Sequence, residues 1–138
     1  MAAETTLREI TKLDVGPHQR GLVAPNAVSI AEAHFEPMAW FRAVYHGEEP
    51  AGFVMVWRDP AEQVFYIWRF MVDARFQGKG VGRRALELLV AEARIDGVSE
   101  VTLSVVPGPA SALPFYERFG FEPTGAVHGG EMELRLVL

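Results

Sequence analysis

The chain of 138 residues contains no cysteine. Disulfides, thiolate metal sites and a cysteine nucleophile are therefore excluded, and no metal site is expected. No apolar run reaches the roughly 20 residues that a bilayer-spanning helix needs. The first ten residues also lack the basic-then-apolar order of a secretory signal. We expect a cytoplasmic protein that does not act at a membrane.

Positive charge is in short supply, since 13 Lys and Arg residues face 18 Asp and Glu residues and the net charge is −5. Nucleic acid is not an expected partner, because phosphate binding over a duplex needs a broad basic face. Hydrophobic residues make up 49% of the chain, which is enough to form a core. The length fits one domain over residues 1–138.

Apolar periodicity predicts an α+β fold. The expected sheet is mixed and mostly antiparallel, with six or seven strands, about four helices, and a parallel pair at the fourth and fifth strands, which a helix joins. In helix 80–96 the apolar positions at helical spacing are Val81, Ala85, Leu88, Leu89 and Ile95. The predicted order is strand 5–12, helical segment 24–37, three antiparallel strands within 39–72, helix 80–96, strand 100–106, helix 110–120 and a hairpin within 121–138.

The segment ARFQGKGVGRRALELL, residues 74–89, combines three glycines with four basic side chains just before a helix. The first N–H groups of a helix have no internal partner, and the helix dipole is positive there. Glycines let an anion approach the backbone. The spacing fits neither a P-loop, which needs Ser or Thr after Gly-Lys, nor a dinucleotide G-x-G-x-x-G motif. The turn therefore predicts a site for a phosphorylated cofactor.

The same turn, Gln77-x-x-Gly80-x-Gly82, matches the Q/R-x-x-G-x-G/A signature of the GNAT superfamily of acyl-CoA-dependent N-acyltransferases. The segment WRFMV before the turn and the segments VTLSVV and FYERFGF after it appear in the order and spacing of that superfamily. The sequence IWRFMVDARFQGKGVG also resembles the bacterial polyamine (spermine/spermidine) N-acetyltransferase branch. The resemblance implies a GNAT-like fold and acetyl-CoA as co-substrate.

The resemblance also implies roles for particular residues. The strand before the glycine turn binds the pantetheine arm through its main chain, and the turn binds the pyrophosphate. Tyr116 matches the tyrosine that protonates the departing thiolate. The residues expected to bind the cofactor are Phe70, Met71, Val72, Gln77, Gly78, Lys79, Gly80, Val81, Gly82 and Arg83.

The sequence departs from the superfamily pattern at two places. Pro109 stands where many members have a cofactor-binding asparagine, and proline has neither an N–H group nor a side-chain amide. Trp68 and Ser104 stand where many members carry a carboxylate base. Deprotonation of the amine is therefore expected to use a water held by other groups.

The acceptor is expected to be a small-molecule amine. Glu32, Glu36 and Tyr66 are the candidate residues for binding it or removing its proton. Acidic and aromatic residues in the first half of the chain suit a polyamine. Arginines at 42, 58 and 69 leave open an acceptor with a carboxylate or phosphate.

The predicted function is transfer of an acetyl group from acetyl-CoA to a primary amine, directly and within a ternary complex. Two alternatives stay open. One is a non-catalytic acyl-CoA-binding sensor or regulatory module. The other keeps the chemistry with a protein N-terminus, a lysine or an amine-bearing drug as acceptor. A homodimer is also left open, since the last strand alternates in the way that dimer-forming strands do.

Overall fold

A computed structural model describes residues 12–15 and 37–138 of the chain. Within these residues six strands form one sheet in the order β1-β2-β3-β4-β6-β5, with two α-helices. The expected strand at 5–12 and the expected helical segment at 24–37 lie almost entirely outside the described residues. The elements are β1 Ala39–His46, β2 Glu49–Asp59, β3 Val64–Val72, α1 Val81–Asp96, β4 Glu100–Val105, α2 Leu113–Phe119, β5 Glu122–His128 and β6 Glu131–Val137.

The predicted α+β class is confirmed, including its mixed and mostly antiparallel sheet. Strands β1, β2 and β3 form the expected antiparallel meander. Strands β3 and β4 form the expected parallel pair, with α1 as the connection between them. Gly97 ends α1 in the left-handed conformation, and Gly120 follows the end of α2, as predicted.

Both helices pack on one face of the sheet. Their buried side chains share a core with residues of β2, β3, β4 and β6. The face of α1 differs in part from the prediction, because Leu88 is 53% exposed and Ile95 is 77% exposed. The sheet instead covers the narrower stripe formed by Val81, Ala85, Leu86, Leu89, Val90 and Ala93.

A bulge at Trp68 reverses the alternation of β3. Ile67 pairs with Val56 and Arg69 pairs with Met55, so Trp68 has no counterpart on β2. An extra residue of this kind leaves the strand out of phase on either side of it. Before the bulge Ile67 packs towards the helices, and after it Met71 packs into a second core on the opposite face. Nothing in the sequence pattern of β3 predicts this change.

An ion pair ties the end of α1 to the sheet. The Arg58 guanidinium on β2 bonds both carboxylate oxygens of Asp96 at 2.7 Å and Glu92 at 2.9 Å. It also lies 5.1 Å from the ring centroid of Trp40. Arg58 therefore has a structural role, with its guanidinium engaged by two carboxylates of α1.

Strand β6 lies inside the sheet, between β4 and β5. Its backbone is thus paired on both sides, so it offers no free edge to a second copy of the chain. The homodimer stays a prediction, and an edge-to-edge dimer would need β1 or β5. In the part of the chain that the structure describes, no helix is long and apolar enough to cross a membrane.

We expect Gly52→Ala to destabilise the fold. A Cβ atom at Gly52 would overlap the carbonyl oxygen of Met71 on the neighbouring strand, and a backbone atom cannot move aside alone. Overpacking of this kind lowers the free energy of unfolding by about 1–3 kcal/mol, which urea denaturation will measure. Gly82→Ala is the matched control, since its Cβ would meet the edge of the Phe115 side chain at 3.3 Å and no backbone atom of another element. Equal losses in both variants would contradict this account.

Candidate functional site

A cavity of about 930 Å³ lies where β3 and β4 separate. The two strands pair at Tyr66–Thr102 and Ile67–Leu103, and the paired register ends there. Beyond it, Trp68 and Val15 line the cavity from one face of the sheet, and Phe115 and Tyr116 of α2 line it from the other. Among the described residues, the gap between the strands is therefore lined from both faces of the sheet.

The backbone of β3 directs main-chain groups towards this gap. Asp73 donates its N–H to the Ala51 carbonyl at 2.7 Å, on the side of β2. Since N–H directions alternate along a strand, Met71 also faces β2, whereas Phe70 and Val72 face the gap. Of the three strand residues expected to bind pantetheine, two therefore direct main-chain groups into the cavity.

The glycine turn brings bare backbone to the end of the same cavity. Gly78 and Gly80 have φ of +77° and +79°, a region that L side chains rarely adopt, and added Cβ atoms there would meet open space. Gly80 precedes α1, and no side chain caps the helix there. The N–H groups of Val81, Gly82 and Arg83 belong to the first turn and lack intrahelical acceptors. The arrangement suits an anion.

Two side chains of the turn support its shape. Gln77 donates from Nε2 to the Val72 carbonyl oxygen at 2.9 Å, which closes the turn against the end of β3. The Lys79 ammonium lies 5.7 Å from the ring centroid of Phe76. The Gln77 bond gives a structural reason for glutamine at this position, beside the cofactor contact that the sequence predicts.

The arginines of the turn are partly neutralised. Arg75 bonds Asp73 at 2.9 Å, and both Arg83 and Arg84 approach Glu87 within 3.5 Å. The cation cluster is therefore weaker than the sequence indicated. The positive character of the site depends more on backbone N–H groups, since Lys79 lines a separate groove beside α1.

Asp73 clips the end of β3 to the chain around Asp14. Its carboxylate accepts from the Asp14 N–H at 3.1 Å, and from the N–H and Nε of Arg75 at 3.0 Å and 2.9 Å. Burial raises the pKa of Asp73, but the hydrogen bonds and the charge of Arg75 outweigh burial and hold its pKa below the usual value. The clip positions the glycine turn relative to the sheet.

Tyr116 lies in an aromatic cluster beside the cavity and is 6% exposed. Its ring centroid is 5.2 Å from that of Phe115, 5.7 Å from Phe121 and 6.4 Å from Phe70. Burial raises the pKa of the Tyr116 phenol above its usual value. The side chain is thus held in place as a protonated phenol, which can donate a proton.

Of the three residues predicted to bind the amine acceptor or to remove its proton, the structure describes one. Glu32 and Glu36 lie outside the described residues. Tyr66 is described, and its hydroxyl donates to Ser104 Oγ at 3.1 Å. Arg69 lines the cavity, and its guanidinium carbon lies 5.6 Å from the Trp68 ring centroid. Arg42 instead lines a different groove, beside α1.

Three cavity residues were missed as site residues or dismissed. Ser104 was considered only as a poor base, but it lies on β4 just past the last pair with β3. Ser111 accepts from the Leu113 N–H at 3.1 Å and lines the cavity near Pro109, where the sequence predicts a lost contact. Glu131, at the start of β6, contributes a carboxylate. Strand alternation alone could have placed Ser104, whereas the other two depend on the tertiary fold.

Known proteins resemble the chain in sequence and in structure. Residues 6–121 match the model of the acetyltransferase (GNAT) family. A spermine/spermidine N(1)-acetyltransferase of Bacillus subtilis is 27% identical over 127 residues, which cover 84% of this chain and 81% of that protein. A GNAT-family protein of Desulfovibrio desulfuricans superposes with a TM-score of 0.76 at 18% identity, covering 99% of this chain and 95% of that one. A GNAT acetyltransferase of Elizabethkingia anophelis, solved with acetyl-CoA bound, superposes with a TM-score of 0.69 at 16% identity. The match covers 84% of this chain and 86% of that one.

We expect Asp73→Asn to lower stability at neutral pH and to have little effect in acid. A carboxyl whose folded pKa is depressed stabilises the fold above its unfolded pKa, and this contribution disappears as the pH falls through the folded pKa. Loss of the charged hydrogen bonds costs about 2 kcal/mol at pH 7. Urea denaturation of both proteins from pH 7 to pH 2 measures the difference. A difference that stays constant over this range would show that the charge of Asp73 is not responsible.

Proposed function

Because the chain belongs to the acetyltransferase (GNAT) family, it is an acetyl-CoA-dependent N-acetyltransferase, and we propose that it transfers the acetyl group directly to a primary amine within a ternary complex. The observation that carries the proposal is the cavity between β3 and β4, lined from both faces of the sheet. Such a gap lets two substrates meet from opposite sides. The chain also has no cysteine that could form a thioester intermediate.

The glycine turn is proposed to bind the pyrophosphate of acetyl-CoA. The first-turn N–H groups of Val81, Gly82 and Arg83 offer donors together with the positive end of the helix dipole. The absence of Cβ atoms at Gly78 and Gly80 leaves space for the phosphates. The fit rests on backbone geometry, so it does not require a strong excess of basic side chains.

The pantetheine arm is proposed to lie along the open edge of β3. The N–H and C=O groups of Phe70 and the N–H of Val72 face the gap, so an extended amide-bearing arm can pair with β3 as a neighbouring strand would. Because the arm runs from the glycine turn along β3, the thioester lies towards the point where β3 and β4 separate, beside the aromatic cluster around Tyr116.

The proposed reaction forms a C–N bond and breaks a C–S bond. A neutral amine attacks the thioester carbonyl, and a main-chain N–H of β3 that faces the gap stabilises the oxyanion. The tetrahedral intermediate then expels the CoA thiolate, which takes a proton from the Tyr116 hydroxyl. A phenol of raised pKa stays protonated at neutral pH and so can donate to this leaving group.

The acceptor proposed for first study is a polyamine. The support is the similarity to the spermine/spermidine acetyltransferase of Bacillus subtilis. The Arg69 guanidinium in the cavity favours, as second candidate, an amine that also carries a carboxylate or phosphate. Glu32 and Glu36 stay predictions as residues that bind the ammonium group.

The proposal is tested by release of CoA thiol from acetyl-CoA in the presence of polyamines, amino acids, aminoglycosides and short peptides. The protein has no cysteine, so a thiol reagent reports product alone. Turnover with any amine supports the proposal, and the preferred amine decides the acceptor class. Acetyl-CoA binding by calorimetry without turnover would instead favour a sensor or regulatory module.

We expect Tyr116→Phe to lower kcat by about 100-fold or more, which is the usual effect of removing a general acid. The dissociation constant of acetyl-CoA should change little, because the ring and its aromatic contacts remain. Steady-state kinetics and calorimetry measure the two quantities.

Tyr45→Phe is the matched control, since Tyr45 is an exposed tyrosine on β1 and lies outside the proposed machinery. This control should keep the activity of the natural sequence. An unchanged kcat in Tyr116→Phe would remove the proposed role of the hydroxyl.

A further inference from the structure

Four polar side chains form a row across the sheet on the face opposite the helices. Tyr66 on β3 donates to Ser104 on β4 at 3.1 Å. Ser104 lies directly opposite Glu133 in the antiparallel register of β4 and β6. Glu133 Oε2 lies 3.3 Å from Nε2 of His128 on β5. We refer to Tyr66, Ser104, Glu133 and His128 as the polar row.

The polar row begins at the cavity. Tyr66 and Ile67 are the last β3 residues paired with β4, and Ser104 is the first β4 residue past the last pair. Ser104 lines the cavity at the point where the strands separate. The row thus runs from the proposed meeting point of the substrates to the outer part of the sheet.

The hydrogen bond from Tyr66 uses only part of the hydrogen-bonding capacity of the Ser104 hydroxyl. A serine hydroxyl has one hydrogen to donate and two lone pairs that accept. One lone pair is used by the Tyr66 hydroxyl, so the hydrogen and the second lone pair remain. Residues directly opposite on paired antiparallel strands have Cβ atoms about 4.5–5.5 Å apart. The Glu133 carboxylate lies against His128 in the structure, and rotation about its side-chain bonds can bring it to the Ser104 hydroxyl.

We propose that Ser104 and Glu133 remove the proton from the acceptor ammonium, with Tyr66 as the residue that positions Ser104. This inference rests on the proposed acetyl transfer to an amine. Ser104 Oγ takes a proton from the ammonium nitrogen while its own hydroxyl proton passes to the Glu133 carboxylate. The products are a neutral amine, an unchanged serine and a protonated Glu133, so atoms and charge balance.

The outer end of the row provides an exit to solvent. The Glu133 side chain is 29% exposed and that of His128 is 67% exposed. The proton can therefore leave Glu133 through His128 to bulk water. The polar row supplies a proton acceptor, Glu133. The sequence lacks one at the usual positions, where Trp68 and Ser104 stand in place of a carboxylate.

Other charged groups on this face affect the same carboxylate. Alternation along β6 places Glu131 and Arg135 on either side of Glu133 on the same face. Glu131 brings a like charge to this face and Arg135 an opposite one. Thr102 and Ser104 on β4 carry no charge, and Glu122 on β5 lies opposite Arg135.

The test compares the pH dependence of kcat/KM for Glu133→Gln with that of the natural sequence, using the amine found active in the thiol-release assay. An alkylammonium has an ordinary pKa of about 10.4, so a variant that must select free amine loses about tenfold in kcat/KM per unit of acidification from pH 9 to pH 7. The natural sequence should change little over this range when kcat/KM refers to total amine. At pH 7 the variant should be about 100-fold slower, with unchanged acetyl-CoA affinity.

Glu100→Gln is the matched control, since it removes the same charge near the other end of β4, where Glu100 pairs with Val137. This control should keep a kcat/KM that changes little between pH 9 and pH 7. Ser104→Ala should show the same steep fall of kcat/KM with acidification as Glu133→Gln. Glu133→Asp should make that fall less steep. Tyr66→Phe should lower kcat/KM by a smaller factor.

Similar profiles for the natural sequence and Glu133→Gln would overturn the relay and leave the acetyl transfer standing. A steep profile in Glu100→Gln would also overturn it, because the effect would then follow general charge. Acetyl-CoA binding without turnover of any amine by the natural sequence would overturn the proposed transfer and the relay together. A steep profile confined to Glu133→Gln and Ser104→Ala supports the relay.

Discussion

The separation of β3 from β4 after the Ile67–Leu103 pair is the constraint on which the rest of the site depends. Two neighbouring strands of one sheet give up part of their shared hydrogen bonds, and each buried polar group left unsatisfied costs about 1–3 kcal/mol. The strands stay extended because their other edges are paired. Strand β3 pairs with β2 up to Val72, and β4 pairs with β6 from Glu100 to Val105. The open edges therefore face a cavity in which a polar ligand can satisfy them.

Several contacts hold this gap in shape. The bulge at Trp68 changes the phase of β3 where the strands part. Asp73 and Gln77 attach the turn after β3 to fixed backbone groups. The ring of Phe70 lies 6.2 Å from that of Phe115, which connects β3 to α2 on the far side of the cavity. Contacts thus hold the gap where the strands part, at the turn after β3, and between β3 and α2.

Charge in this protein is arranged locally. In a chain of net charge −5, the glycine turn places exposed backbone next to a helix N-terminus, while the three arginines of the turn are paired with carboxylates. Arg58 and Arg69 have different surroundings in the fold. Arg58 has two acidic partners on α1 and holds the helix to the sheet, whereas Arg69 stacks on Trp68 beside the cavity. Sequence composition alone cannot distinguish the two.

Local period, turn chemistry and the spacing of a short motif were enough to predict the α+β class, the meander, the parallel β3–β4 pair, the glycine caps and the family. Contacts between elements could not be predicted in this way. The phase change at Trp68, the carboxylate partners of Arg58 on α1 and the row from Tyr66 to His128 depend on how strands and helices pack against one another. Strand register and helix packing follow from the hydrophobic pattern and turns of the whole sheet, so no short stretch of sequence specifies these contacts.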